Sequence, residues 1–298
     1  MATALRVLKG VRVLSLALNL PGPAALMRCR RMGATCVKLE PPSGDPMGHY
    51  NKAAYAQLHE GVKVITADLK TEAGQALLHR ELDKTDVLLT SFRPSALKKL
   101  GIGWKVLRQR HPALSQVAIV GSPGDLAEEP GHDLTYLAGH GLVPGLELPA
   151  TLYADMSGSV MASEAVLQAA LHQCERYAGT GEANPQGVYI EVALADAAAY
   201  LALPRQWGLT QPSGSVGGAH AGYRVYPCKD GRVAVAALEP HFAAGLCKAA
   251  GVAASDIRAM FAPATHQAIA AFLAERTCRE LDQLAAAADL PLHTMPAA

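Results

Sequence analysis

The chain has 298 residues, half of them hydrophobic, and carries 27 basic against 26 acidic side chains. This length suffices for one large or two medium domains with a substantial core. The balanced charge excludes the strong field that attracts nucleic acid, and no uncharged apolar stretch reaches the ~20 residues that span a bilayer. We therefore expect no nucleic-acid partner and no membrane span.

The cysteine pattern and the N-terminus indicate a cellular location. Six cysteines are present without a CxxC pair, which predicts reduced thiols and no metal site. The apolar run at residues 13–18 is short, has no A-x-A cleavage site and is followed directly by a basic helical pattern. We expect a cytoplasmic protein without a signal peptide.

The first 203 residues alternate short apolar runs with helical patterns. Strands are predicted for residues 11–18, 35–39, 62–66, 86–89, 114–120 and 187–193. Helices are predicted for residues 24–32, 72–82, 104–110, 157 to about 177 and 196–203. The alternation predicts an α/β fold, in which residues 1–203 form a large Rossmann-like domain around a parallel sheet.

The character of the sequence changes after residue 203. Residues 204–222 are rich in glycine and contain two prolines, which indicates a linker. Residues 223–227 and 232–237 flank Lys229-Asp230-Gly231, a pattern typical of a β-hairpin, and alanine-rich helices are predicted within residues 242–284. Residues 223–298 are therefore predicted to form a smaller α+β domain.

Three acid/base side chains are candidates for catalysis: His132, Asp155 and Glu239. Each also has a structural interpretation. Asp155 stands just before a predicted helix and fits an N-cap, while His132 fits an exposed loop position. Glu239 precedes Pro240 at a predicted helix start, where a negative charge is favourable. The residues alone leave both interpretations open.

Several motifs, taken in order, resemble one family. They are Leu8-Lys9-Gly10-Val11, Pro21-Gly22-Pro23, Gly33-Ala34, Gly44-Asp45, Asp68-Leu69-Lys70, Phe92-Arg93-Pro94 and Leu100-Gly101-Ile102-Gly103. Together they resemble the family III CoA-transferases, also called the CaiB/BaiF family. Gly131-His132-Asp133 and Leu238-Glu239-Pro240 are similar to the α-methylacyl-CoA racemase branch of that family.

This resemblance implies an acyl-CoA racemase or epimerase that acts by 1,1-proton transfer at the α-carbon of a 2-methylacyl-CoA thioester. His132 and Asp155 would be the two acid/base groups, and Glu239 would support His132. Asp155 would need a pKa raised by burial, and backbone N–H groups of residues 156–158 would stabilise the enolate oxygen. Asp133 is expected to cap a helix.

The resemblance also implies alternatives. A transferase of this family would use the Asp155 carboxylate as a nucleophile and move CoA between carboxylic acids through an acyl-enzyme, so Asp155 fits both reactions. Family chains are longer, and their C-terminal segment helps two ring-like subunits interlock. This sequence is expected to be C-terminally shortened, which motivates a third hypothesis: a catalytically degenerate CoA-binding protein.

CoA is expected as part of the substrate, an acyl-CoA thioester, with no tightly bound cofactor. The positions that match the CoA-binding residues of the family are Lys38, Lys70, Phe92, Arg93 and Lys99. Basic side chains suit the phosphates, and an aromatic ring can stack on the adenine base. The resemblance further implies a homodimer.

Overall fold

The chain divides into two units, Met1–Ala202 and Leu203–Ala298. The structure, a computed structural model, describes residues 5–180, 186–253 and 257–297. The linker predicted at residues 204–222 stays a prediction; within it lie the end of a helix and a short 3-10 turn, Ser215–Gly217.

A six-stranded parallel sheet forms the centre of the first unit. Its strands are β1 (Arg12–Ser15), β2 (Thr35–Glu40), β3 (Lys63–Thr66), β4 (Val87–Thr90), β5 (Ser115–Val120) and β6 (Tyr189–Ala193). The strand order is β3-β2-β1-β4-β5-β6, so the winding direction reverses between β1 and β4. Such a reversal opens a crevice at the carboxyl ends of the two strands. The predicted α/β fold with a parallel sheet is confirmed.

The central strands of the sheet are buried, whereas the edge strand β3 is largely exposed. Every residue of β4 and β5 is buried, as expected for strands that helices cover on both faces. The edge strand β3 is mostly exposed and begins with Lys63, a residue type that discourages pairing with other chains.

In the part of the chain that the structure describes, nine α-helices accompany this sheet. They are α1 (Pro21–Arg31), α2 (Pro46–Tyr50), α3 (Lys52–Leu58), α4 (Glu72–Leu82), α5 (Pro94–Lys99), α6 (Trp104–Arg110), α7 (Asp133–Gly139), α8 (Tyr153–Thr180) and α9 (Leu194–Gln206). Small residues let α1 and α8 approach closely, with Ala25, Cys29 and Ala165 in the shared core. The Arg28 Nε atom also donates to the Ser163 hydroxyl at 2.9 Å.

The described residues of the second unit form a small antiparallel sheet and three α-helices. Its strands are β7 (Tyr223–Cys228), β8 (Gly231–Ala236) and β9 (Leu292–Pro296), and its helices are α10 (Pro240–Ala249), α11 (Pro263–Ala274) and α12 (Cys278–Ala288). The predicted hairpin is present, with Cys228 paired to Gly231 across a two-residue turn. Strand β9 pairs with β8 and was not predicted, because Leu292–Pro296 has neither a β-branched run nor clear alternation.

Two of the helix starts that differ from the sequence-based expectation bear on the candidate site. Helix α8 begins at Tyr153 rather than at 157, which places Asp155 inside its first turn. Helix α7 was not predicted, although it begins at Asp133, directly after His132. These two helix starts carry the candidate acid/base residues of the first unit.

Candidate active site

A cleft with about 310 Å³ of free space lies in the first unit. Segments that follow β1, β4 and β5 form its walls, together with the starts of α7 and α8. Its lining includes Asn19, Phe92, Arg93, Gly121, His132, Tyr136 and Asp155. The cleft therefore lies at the carboxyl ends of the strands, where the sheet reverses its winding direction and where open α/β sheets place their ligands.

Asp155 is the titratable group most altered by this environment. Burial first, and the nearby Asp133 carboxylate second, raise its pKa from 3.8 to about 6, while the charge of His132 acts in the opposite direction. At neutral pH a measurable fraction of this carboxyl is therefore protonated. It can serve as a proton acceptor or, when protonated, as a donor.

Asp133 holds the start of α8. Its side chain is only 5% exposed, and its Oδ1 atom accepts the backbone N–H of Asp155 at 3.0 Å. It therefore caps α8, the helix that contains Asp155, whereas the N-cap residue of its own helix α7 is His132. The interpretation of Asp155 as an N-cap is wrong, because Asp155 is the third residue of α8.

His132 lies directly before α7 and lines the same cleft as Asp155. Its backbone N–H donates to the Thr135 hydroxyl at 3.0 Å, and its carbonyl accepts the Thr135 N–H at 2.9 Å. These bonds fix the backbone at this residue, which is exposed to solvent. The structure thus brings His132 and Asp155 together in one cleft.

Tyr136 is a cleft residue that sequence reasoning missed. It follows His132 by four positions, so both face the same side of the α7 start, and this spacing was the available signal. A Cβ atom on Gly121 would lie 2.3 Å from the Tyr136 hydroxyl oxygen, and one on Gly131 would lie 2.5 Å from it. Burial and then the charge of Asp155 raise the pKa of Tyr136, and Arg93 opposes them. The hydroxyl therefore stays protonated, with Gly121 and Gly131 next to it.

Asn19 is a second residue that the sequence analysis did not select. It has a left-handed backbone, with φ of 65°, in the loop between β1 and α1. The Asp45 carboxylate accepts its backbone N–H at 3.1 Å, and its side-chain oxygen accepts from the Tyr50 hydroxyl at 3.3 Å. These contacts hold the loop that forms the cleft wall at the end of β1.

The prediction that Lys38 binds CoA is wrong. Its side chain is fully buried, and its Nζ atom forms ion pairs with Asp45 and with Glu40, the latter at 3.2 Å. Nζ also lies 2.9 Å from Nε2 of His59. A buried ammonium surrounded in this way neutralises the two carboxylates inside the protein and is not accessible to a phosphate.

The other predicted CoA contacts fall into two places. Phe92 and Arg93 line the cleft. Lys70 and Lys99 line a separate groove of about 750 Å³, together with Arg110. Helix α5 connects the two places, because Arg93 precedes it and Lys99 ends it.

The predicted donors for an enolate oxygen at residues 156–158 are wrong. The N–H of Met156 donates to the carbonyl of Leu152 at 3.0 Å, and residues 157–158 lie within α8. Because the helix begins at Tyr153, these N–H groups are already hydrogen-bonded. The Tyr136 hydroxyl and the Arg93 guanidinium are among the donors that line the cleft.

Glu239 belongs to the second unit, where it is the exposed N-cap residue of α10, directly before Pro240. This matches the structural interpretation of an acidic residue at a helix start. Its predicted support of His132 stays a prediction.

In the described ranges, no helix is both long enough and apolar enough to cross a membrane.

The sequence and the fold were compared with known proteins. The family model of CoA-transferase family III matches residues 8–296. A probable fatty acyl-CoA transferase of Mycobacterium tuberculosis is 32% identical over 214 residues, which cover 64% of this chain and 51% of that protein. The succinyl-CoA–D-citramalate CoA-transferase of Chloroflexus aurantiacus is 33% identical over 200 residues, covering 62% and 50%. The human α-methylacyl-CoA racemase is 27% identical over 267 residues, covering 84% and 66%.

Solved structures agree with these sequence matches. A crystal structure of the M. tuberculosis protein has a TM-score of 0.81 and 26% identity, covering 97% of this chain and 83% of that one. A CaiB/BaiF protein from Brucella suis shares the fold, with a TM-score of 0.79, 22% identity and coverage of 97% and 84%. The chain spans about half the length of the two transferases, 51% and 50%. With a family model that matches nearly all of its sequence, this chain belongs to CoA-transferase family III, the CaiB/BaiF family, whose relatives here include racemases and CoA-transferases.

Proposed function

We propose that this protein is an acyl-CoA racemase or epimerase that transfers a proton at the α-carbon of a 2-methylacyl-CoA thioester. The observation that carries the proposal is that His132 and Asp155 line one cleft while the pKa of Asp155 is raised to about 6. An imidazole ring nitrogen can accept or donate a proton, so the cleft holds two groups that can exchange the roles of acid and base.

The reaction would proceed in two proton transfers. The ionised carboxylate of Asp155 takes the α-proton, and the electron pair of the broken C–H bond moves into the thioester as an enolate. Protonated His132 then gives its proton to the other face of the α-carbon. The enzyme is left with a protonated Asp155 and a neutral His132, which exchange protons with water or run the reaction in reverse.

The enolate oxygen needs a donor that is in place before the reaction. The Tyr136 hydroxyl suits this role because two glycines leave room for it beside Asp155, and Arg93 adds positive charge in the same cleft. Phe92 and Arg93 would hold the part of CoA near the thioester. Lys70 and Lys99 would attract the phosphates in the groove at the other end of α5, about 9 Å further along.

Exchange in deuterated water tests this proposal. Purified protein is incubated with one α-carbon epimer of a 2-methylacyl-CoA and no acceptor acid, and the α-deuterium content and stereochemistry are followed by NMR and chiral chromatography. We expect deuterium incorporation with racemisation, lost in Asp155→Asn and in His132→Ala. Asp196→Asn is the matched control, because Asp196 is an exposed aspartate in the first turn of α9. Absence of deuterium in the wild-type product refutes the proposal.

A CoA-transferase is the second candidate, favoured by the transferases among the relatives. Above pH 6 the Asp155 carboxylate is mostly ionised and can attack the thioester carbonyl, forming a mixed anhydride and releasing CoA as a thiolate. Hydroxylamine would trap that anhydride as a hydroxamate on Asp155, detected by mass spectrometry. Calorimetric binding of CoA with neither deuterium exchange nor a trapped adduct would support the third hypothesis, a CoA-binding protein without catalysis.

A further inference from the structure

Two cysteines and one aspartate converge in the second unit. Cys228 ends β7, Asp230 lies in the hairpin turn, and Cys278 begins α12. The two Sγ atoms are 3.6 Å apart, although the residues are separated by 50 positions in the sequence. The Asp230 Oδ1 atom lies 4.0 Å from the Cys228 Sγ atom, and one ligand atom from each residue lies within 4.8 Å of the others.

These distances are close to those of a tetrahedral metal site. Two thiolates bound to one Zn²⁺ at about 2.3 Å lie roughly 3.8 Å apart, and a thiolate and a carboxylate oxygen lie roughly 3.5 Å apart. The observed separations of 3.6 Å and 4.0 Å require shifts of only a few tenths of an ångström. A disulfide would require the sulfurs to approach to about 2.05 Å.

The supporting hydrogen bonds keep the three groups in place. The backbone N–H of Cys278 donates to Asp230 Oδ1 at 2.7 Å, which orients the carboxylate toward the start of α12. The N–H of Lys229 donates to the carbonyl of Arg276 at 2.8 Å, which ties the hairpin turn to the segment before that helix. Metal ligands are commonly oriented by such outer contacts.

Asp230 favours a cation over a disulfide. The Asp230 carboxylate lies within 4.8 Å of both sulfur atoms, so it can supply a third, anionic ligand to a divalent cation. A disulfide would make no use of this carboxylate. Cys278 is only 6% exposed, while Asp230 is exposed, so an ion can enter from solvent.

We propose that Cys228, Asp230 and Cys278 form a binding site for a thiophilic divalent metal ion, with Zn²⁺ as the preferred ion and water in the fourth position. The two thiols lose their protons to the solvent as the ion binds, and no oxidation takes place. The sequence predicts no metal site because these cysteines are far apart in the chain and form no CxxC pair.

Cobalt provides the test. The full chain, reduced and metal-free, is titrated with Co²⁺ under anaerobic conditions and followed by absorption. We expect one equivalent to give the near-ultraviolet thiolate-to-cobalt band and the visible bands of a tetrahedral site, and Zn²⁺ to abolish both. Cys278→Ser and Asp230→Asn should each weaken Co²⁺ binding at least tenfold. Cys174→Ser, which removes an exposed thiol on α8, should leave the titration unchanged.

Circular dichroism of each variant establishes that it is folded. If Cys278→Ser does not fold, Asp230→Asn still tests the site, because it keeps both thiols. The proposal is overturned if wild-type protein gives no thiolate-to-cobalt band, or if the band persists unchanged in Asp230→Asn and Cys228→Ser. It is equally overturned if reduced protein binds neither ion and glutathione disulfide converts Cys228 and Cys278 to a disulfide.

Discussion

Replacing Asp155 by asparagine should abolish exchange at the α-carbon and at the same time stabilise the first unit at neutral pH. The pKa of this carboxyl is about 6 instead of 3.8, mainly because the side chain is buried and secondly because of Asp133. At about 1.36 kcal/mol per pH unit, keeping the buried group ionised costs the folded state about 3 kcal/mol. Asparagine is nearly isosteric with the protonated acid and does not carry this cost.

The size of the effect depends on pH. Below pH 3.8 the carboxyl is protonated in both the folded and the unfolded chain, so wild type and Asp155→Asn should have similar stability. As the pH rises from about 4 to 6 the unfolded chain releases its proton more readily, and wild type loses stability relative to the variant. Above about pH 6.5 the difference should remain near 3 kcal/mol.

Urea unfolding at pH 4 and pH 7.5 measures this difference. The chain has two tryptophans, Trp104 in the first unit and Trp207 in the second, so a Trp207→Phe background leaves a fluorescence reporter on the first unit only. Asp196→Asn, at an exposed position in the first turn of α9, should show no comparable pH-dependent gain. A difference between Asp155→Asn and wild type that is equal at both pH values would refute the reasoning.

Three further predictions concern other parts of the first unit. Gly121→Ala should displace the Tyr136 hydroxyl, lowering kcat and costing about 1–3 kcal/mol of stability, while Gly139→Ala, with nothing within 4 Å of its Cβ position, should be neutral or stabilising by urea unfolding. Lys38→Met should cost about 3–5 kcal/mol in the same assay, because it leaves two buried carboxylates without their cation; a loss below 1 kcal/mol would contradict this. Lys70→Ala should raise the KM for acyl-CoA roughly two- to fivefold with little change in kcat, an effect that added salt should weaken.

The sequence pattern was sufficient for the sheet because a buried parallel strand leaves a continuous apolar run. Ser115–Val120 is such a run and is wholly buried in the structure. Helices Glu72–Leu82 and Trp104–Arg110 were predicted with the same limits as observed. Helix α7 was missed, because its few turns begin in a polar segment without a periodic apolar face.

Long-range contacts determine what the sequence could not predict about the site. Lys38 has the residue type of a phosphate ligand, but Asp45 and Glu40 enclose it once β2 and the following segment have folded. Asp133 was expected to cap a helix, and it caps one that begins 20 residues later in the chain. Residue type and spacing do not show which partner a side chain has in the folded protein. His132 and Asp155 were selected in a different way, because their motifs occur in the order typical of the family.

The antiparallel sheet of the second unit has a consequence for how the protein forms during synthesis. Its hairpin is local, but β8 gains its second neighbour only when residues 292–296 have been made, after α10, α11 and α12. The parallel sheet of the first unit has all its strands by Ala193. Because domains generally fold as units while the chain emerges from the ribosome, we expect the first unit to fold early and the second to complete its sheet only after residues 292–296 have emerged.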